Sequence, residues 1–168
     1  MSGHNKWAQI KHKKAITDQK KGQVFSKISR EITLTARGNP DPKTNYQLKA
    51  IIDKARSMNI PQDNIERAIK RVTDRGQSDL EEMQFDAIGP GGAAIIITAI
   101  TDSRNRTVHE LKTLMETLGL KTVPPGSLKW MMHTPLDISE DDRAKLTHVM
   151  EMLDDHDDVQ DITTNANL

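Results

Sequence analysis

The chain has 168 residues, 35% of them hydrophobic and 29% charged, which suits one ordinary domain or two small ones. It contains no cysteine, which excludes a disulfide framework and any thiolate metal site. Its formal net charge is zero, yet 17 Lys and Arg face 7 Asp and Glu up to Gly76, and 7 face 17 from Gln77 onward.

Opposed halves of this kind point to nucleic acid as the partner of the basic half. They also suggest two domains with different tasks, residues 1–76 and 77–168, meeting near "DRGQSD". Aromatic residues are scarce, so the cores are expected to be aliphatic. Residues 1–20 lack the apolar middle of a signal peptide. The longest apolar run, "AAIII" at 93–97, is too short to cross a bilayer. A cytoplasmic protein without membrane contact is expected.

The chain opens with "SGHNKWAQIKHKKAITDQKKG", which carries Lys6, Lys11, Lys13, Lys14, Lys20 and Lys21 with Trp7, His4, His12 and one acid, Asp18. Lysines neutralise phosphates and release counterions, while Trp7 or His12 can stack on an exposed base. A disordered basic tail attracted to any polyanion would have the same composition. Residues 13–21 are a weak candidate helix.

Next, "QVFSKISREITLTAR" places Phe25, Ile28 and Ile32 at helical spacing, and Gly38, Pro40 and Pro42 end that helix. A second helix carries Leu48, Ile51, Ile52 and Ala55. A third, opened by Pro61, carries Ile65, Ala68, Ile69 and Val72. Arg67, Lys70, Arg71 and Arg75 lie off that stripe, either as a plain solvated face or as an extension of the basic arm.

Beyond residue 77 the pattern changes. "EMQFDAI" and "AAIIITAI" read as strands joined by the turn "GPGG" at 89–92, the second strand apolar enough to be central and helix-covered. Val108, Leu111 and Leu118 mark a helix over 104–118. A strand is expected at "SLKWMMH", residues 127–133. Ser139 is a good N-cap for a helix with Leu146, Val149, Met150 and Leu153 inside. A last strand falls near "DVQDIT". The expected class is α+β, an N-terminal helical bundle followed by a ferredoxin-like α/β sandwich in the order β-β-α-β-α-β.

Enzymatic motifs are missing: there is no phosphate loop, no dinucleotide fingerprint and no second histidine after "VHELK". His4, His12 and Asp18 could imitate a ribonuclease acid/base pair or a metal site, but three such residues in a lysine-rich segment are commonplace. The acids of "DDHDD", 154–158, lack calcium-loop spacing and read as a solvated helix end. In "TDSRNRT", Arg104 and Arg106 stand at a helix N-terminus, against the dipole preference. They are candidates for an anion contact, unless Asp102 or Ser103 caps the helix and the arginines face solvent.

These stretches, together with "NIPQDNIERAIKR", "GPGGAAIII" and the closing "LDDHDDVQDITTNANL", resemble the YebC family across nearly the whole chain. The resemblance implies a non-enzymatic factor with a helical N-terminal domain and a ferredoxin-like second domain. Members have been described as DNA-binding transcriptional regulators. They have also come to be seen as ribosome-associated translation factors that relieve stalling at proline-rich stretches, and mitochondrial members activate translation of a cytochrome oxidase subunit. Carried onto this chain, the family's basic surface falls on Lys6, Trp7, Lys11, His12, Lys13, Lys14, Lys20 and Lys21. Arg67, Lys70 and Arg71 would extend it, with Arg104 and Arg106 outlying. Typical members insert a third domain in the second; here "SLKWMMH" runs through "TPLD" into the last helix, which looks like a short form. The expectation is a monomeric, cofactor-free regulator with no catalytic or metal site and no small-molecule substrate. Its partner would be ribosomal RNA, with promoter DNA second and a ribonuclease using His4 and His12 a remote third.

Overall fold

The computed structural model describes residues 18–75 and 79–168. They fall into two compact units, one within Ile16–Glu81 and one over Glu82–Leu168.

The first unit has three helices: α1 (Asp18–Thr35), α2 (Tyr46–Ser57) and α3 (Gln62–Arg75). Residues 18–21, expected to close a separate short helix, form the first turn of α1 instead. Ile28 and Ile32 of α1, Leu48, Ile52 and Ala55 of α2, and Ile65 and Ala68 of α3 make one buried cluster. Each is a stripe residue, and burying one of the isoleucine or leucine side chains is worth about 1.5–3 kcal/mol.

Local chemistry sets the corners. Asn45 caps α2 by accepting from Leu48 N–H at 3.0 Å, and its amide donates to Thr35 O and Asn39 O at 3.0 and 2.8 Å, tying the cap to the end of α1. The far end of α2 closes with Asn59 in the left-handed region (φ 59°). Ile60 N–H bonds to Ala55 O and Asn59 N–H to Arg56 O, and the buried Ile60 completes this cap.

The second unit holds β1 (Glu81–Ile88), β2 (Ala94–Thr101), α4 (Arg104–Thr117), β3 (Lys121–Val123), α5 (Glu140–Asp154) and β4 (Val159–Thr164). The order β-β-α-β-α-β is the expected one. The strands form a single sheet in the order β3-β1-β2-β4, so the apolar β2 is indeed internal. Ile95 and Ile97 of β2 pair antiparallel with Thr164 and Ile162 of β4. One sheet face, with Phe85, Ala87, Ile95 and Ile97, packs against Leu111 and Met115 of α4 and Leu146, Met150 and Leu153 of α5.

The turn between β1 and β2 is a short 3-10 segment, Pro90–Gly92. Gly91 has φ 67°, and a Cβ there would come within 2.7 Å of Ile138 Cγ2 and 3.3 Å of Asp142 Cβ, so glycine lets the turn dock on the start of α5. Ser139 caps α5 as expected, its Oγ accepting from Asp142 N–H at 3.1 Å.

The third strand is not where the sequence pattern placed it. It is Lys121–Val123, antiparallel to β1, and "KWMMH" (129–133) is a 3-10 turn. Pro124 and Pro125 offer no N–H to a ladder, and Gly126 turns the chain at φ 87°. The N–H groups of Gly126 and Leu128 then go to Asp86 Oδ2, at 3.0 and 3.1 Å. Asp86 alternates with Phe85 and Ala87, so this segment lies against the sheet face opposite the helices, with Leu128 buried there. The following stretch is stitched to the C-terminus. Leu136 N–H bonds to Asn165 O, Asn167 N–H to Leu136 O, and the Asn165 side chain bridges Ala94 N–H and Thr134 O.

Candidate nucleic-acid interface

The arm residues Lys6, Trp7, Lys11, His12, Lys13 and Lys14, like His4 and the linker 76–78, lie outside the described residues. Lys20 and Lys21 are exposed in the first turn of α1, where the helix dipole disfavours cations.

The clearest basic surface that is described belongs to α3. At 100° per residue, Arg67, Lys70 and Arg71 share an arc of about 100°. All three are exposed, and Ile65 and Ala68 are buried on the opposite side. Arg67 is held in place by its own helix: Nη2 donates to Asn64 Oδ1 at 2.7 Å and Nε to Asp63 O at 3.3 Å. Among the described residues neither Arg67 nor Arg71 is ion-paired. Like charges at i, i+3 and i, i+4 cost an isolated helix a few tenths of a kcal/mol, so the face is kept against a small local penalty.

Arg104 and Arg106 have a different setting. Both are in the first turn of α4, whose N-cap Ser103 makes no side-chain cap bond. Arg106 Nη2 meets Asp158 Oδ2 at 2.9 Å and Asp102 Oδ1 at 3.1 Å, and Nε lies 3.9 Å from Glu110 Oε2. The hydrogen bond to Asp158, with its charge, raises the Arg106 pKa above the ordinary value. Thr107 Oγ1 donates to the same Asp158 oxygen at 2.7 Å and lies 2.8 Å from Thr101 Oγ1, both threonines being fully buried. Asp158 is therefore no part of a solvated helix end: its side chain is 3% exposed, and it locks the start of α4 to the start of β4.

Glu110, His156 and Asp158 each bring one donor atom within 4.8 Å of the others, a spacing a metal ion could use. Every donor is already engaged. His156 Nδ1 accepts from Asp158 N–H at 3.1 Å, so Nε2 carries the proton toward Glu110 Oε2 at 3.1 Å. The Arg106 guanidinium already supplies the cation.

The sequence reading passed over two exposed aromatics, Tyr46 at the start of α2 and Trp130 on the 3-10 turn. Tyr46 stands off the Leu48–Ile52–Ala55 stripe, which was the available signal. Trp130 falls within the strand expected at 127–133, where Lys129–His133 form a 3-10 turn instead.

Two family models match: the TACO1/YebC protein N-terminal domain over residues 5–75, and the TACO1/YebC second and third domain over residues 80–134. A probable transcriptional regulatory protein of Thermotoga petrophila is 40% identical, across all of this chain and 72% of its own length. The chain belongs to the TACO1/YebC family. Another relative, a probable transcriptional regulatory protein of Roseiflexus castenholzii, is 45% identical over 139 residues, 80% of this chain and 54% of that one. The chain thus spans about half the length of that family member. Its fold matches the crystal structure of a conserved hypothetical protein from Aquifex aeolicus, with a TM-score of 0.83, 25% identity and 96% of each chain covered. No described helix of this family member is long and apolar enough to cross a membrane.

Proposed function

We propose that this protein is a nucleic-acid-binding regulator of gene expression that acts by contact rather than by catalysis. The observation that carries the reading is the α3 face, where Arg67, Lys70 and Arg71 project together from a unit whose sequence is strongly basic. Guanidinium and ammonium groups on one ridge suit the charge of a phosphate backbone. In this reading Lys20 and Lys21 add to the grip, as do the arm lysines, which lie outside the described residues. Arg106 is left out of the grip, because its guanidinium serves Asp158 and Asp102.

The preferred target is structured RNA of the ribosome, in the manner of a translation factor, because a lysine-rich arm carrying Trp7 and His12 suits irregular RNA. Promoter DNA is the second reading. Two observations favour it: relatives carry the name probable transcriptional regulatory protein, and the connection from α2 to α3, residues 58–61, has the length of a helix-turn-helix turn. We also take the chain to be a short form of the family without a third domain, with residues 124–138 as the closed connection.

The test is co-sedimentation with purified ribosomes in the presence of excess duplex DNA. It compares wild type with a variant carrying Arg67→Glu, Lys70→Glu and Arg71→Glu. Wild type pelleting while the variant stays in solution supports the RNA reading. Removal of wild type by duplex DNA moves the promoter reading ahead. Equal behaviour of the two proteins removes α3 from the interface. Each lost phosphate contact should also lower the slope of log affinity against log salt by about one.

A further inference from the structure

Trp130 is 71% exposed, an unusual state for the largest apolar side chain. An isolated exposed apolar residue needs no explanation, but this ring sits on a turn that is fastened at both ends. On one side Asp86 holds the N–H groups of Gly126 and Leu128, and Leu128 is buried beneath. On the other, Thr134 O accepts from the Asn165 amide, and Leu136 N–H bonds to Asn165 O. Between them Met131 N–H bonds to Leu128 O and Thr134 N–H to Met131 O, each at 3.0 Å. The indole is thus held outward by a short braced segment, so ordering it costs little on binding.

The charge around it runs against its unit. Residues from Gln77 onward carry 17 acids against 7 bases, yet the stretch 117–136 has no acid at all and contains Lys121, Lys129 and His133, each exposed. Asp86, the carboxylate that holds this turn, is buried and turned to its backbone amides. An outward aromatic ring with an adjacent lysine, in a stretch of chain without acids, is a combination that single-stranded nucleic acid uses, with base on ring and phosphate on ammonium.

We propose that Trp130 and Lys129 form a second nucleic-acid contact, on the α/β unit, in which an unpaired base stacks on the Trp130 indole. The inference rests on the nucleic-acid reading above and adds that this contact requires unpaired bases, which the α3 face does not.

The experiment uses the full chain, and the emission of Trp130→Phe, which keeps Trp7, is subtracted from that of wild type so that the difference reports Trp130. Its emission is followed during titration with single-stranded oligouridylate, with a matched RNA duplex, and with heparin as a polyanion without bases. Binding is measured in parallel by anisotropy of a labelled oligouridylate. The expected result is quenching by the single strand but not by duplex or heparin. Trp130→Ala should weaken oligouridylate binding about tenfold, within the range for loss of one stacked base. Trp130→Phe should restore most of it, and the ring's exposure should leave thermal unfolding of both variants at the wild-type midpoint. Lys129→Glu should weaken binding as well.

Unchanged Trp130 emission with oligouridylate fully bound overturns this proposal and leaves the α3 reading intact. Quenching by heparin equal to that by the single strand overturns base stacking in favour of a polyanion patch. Self-association that Trp130→Ala abolishes, with RNA affinity unaltered, overturns it in favour of a contact between copies of the chain. Absence of any binding to oligouridylate, duplex RNA or duplex DNA removes both this proposal and the function it rests on.

Discussion

The two units bury polar groups to very different extents. In the described part of the helical unit the buried polar residues are Lys27 and Thr33, whereas the α/β unit buries Asp86, Thr101, Thr107, Asp158, Thr164 and Asn165. The difference follows from where backbone hydrogen bonds are made. A helix satisfies its own amides, so three packed helices need side-chain partners mainly at their ends, and Asn45 is such a partner. In the α/β unit irregular segments run against the sheet and its ends, and their amides need carboxylates and carboxamides to receive them. Asp86 serves the turn after β3, and Asn165 serves the stretch before α5. Apart from Lys27, the charged residues described in the basic unit therefore stay out of its core, while the acidic unit spends two of its acids inside.

The largest expected effects test whether the two cores are separate. Ile97→Ala should cost the α/β unit about 3 kcal/mol, and Ile65→Ala the helical unit a similar amount, both being fully enclosed aliphatic side chains. Hydrogen exchange should show each substitution lowering protection in its own unit only; loss of protection across both units by either one would break the comparison.

A smaller effect contrasts inner and outer acids. Asp158→Asn should lower stability by about 2 kcal/mol, since it weakens charge-assisted bonds to Arg106 and Thr107. Lys145→Gln should change little at neutral pH, because its pair with Asp141 is exposed. That lysine's pKa is raised, first by the hydrogen bond it donates to Asp141 and then by that carboxylate's charge. The pair's contribution is therefore complete below the ordinary lysine pKa of about 10.4 and fades as pH rises through the raised value. Denaturant midpoints of Lys145→Gln and wild type should converge on the alkaline side, and a gap that widens there would contradict the assignment.

Effects below that of Asp158→Asn come from two helix ends built alike. Asn59 closes α2 and Gly119 closes α4, both left-handed, with Ile60 N–H and Leu120 N–H reaching back to Ala55 O and Met115 O. Gly119→Ala should cost about 1 kcal/mol through its φ of 71°, and Asn59→Gly should gain up to about 0.5 kcal/mol. Equal and opposite shifts in thermal midpoint are not expected, because alanine resists this conformation more than asparagine does.

The sequence by itself determined the features that depend on near neighbours. The stripes of α1, α2 and α3, the internal β2, the glycine turn at 89–92 and the Ser139 cap all rest on spacings of one to five residues, and each was legible. So was the basic ridge of α3, which is the reverse side of its apolar stripe. The family motifs were legible along the whole chain for the same reason. Tertiary structure decided what depends on partners far along the chain. Asp86 takes the amides of residues 40 and 42 positions away, and this replaces the expected strand at 127–133 with a braced turn. Arg106 finds Asp158 at a separation of 52, which ties that exposed arginine to the start of β4 and buries an acid that read as solvated. No local pattern records such pairings, because side chains with several possible partners are assigned only when the packed chain excludes water from all but one of them.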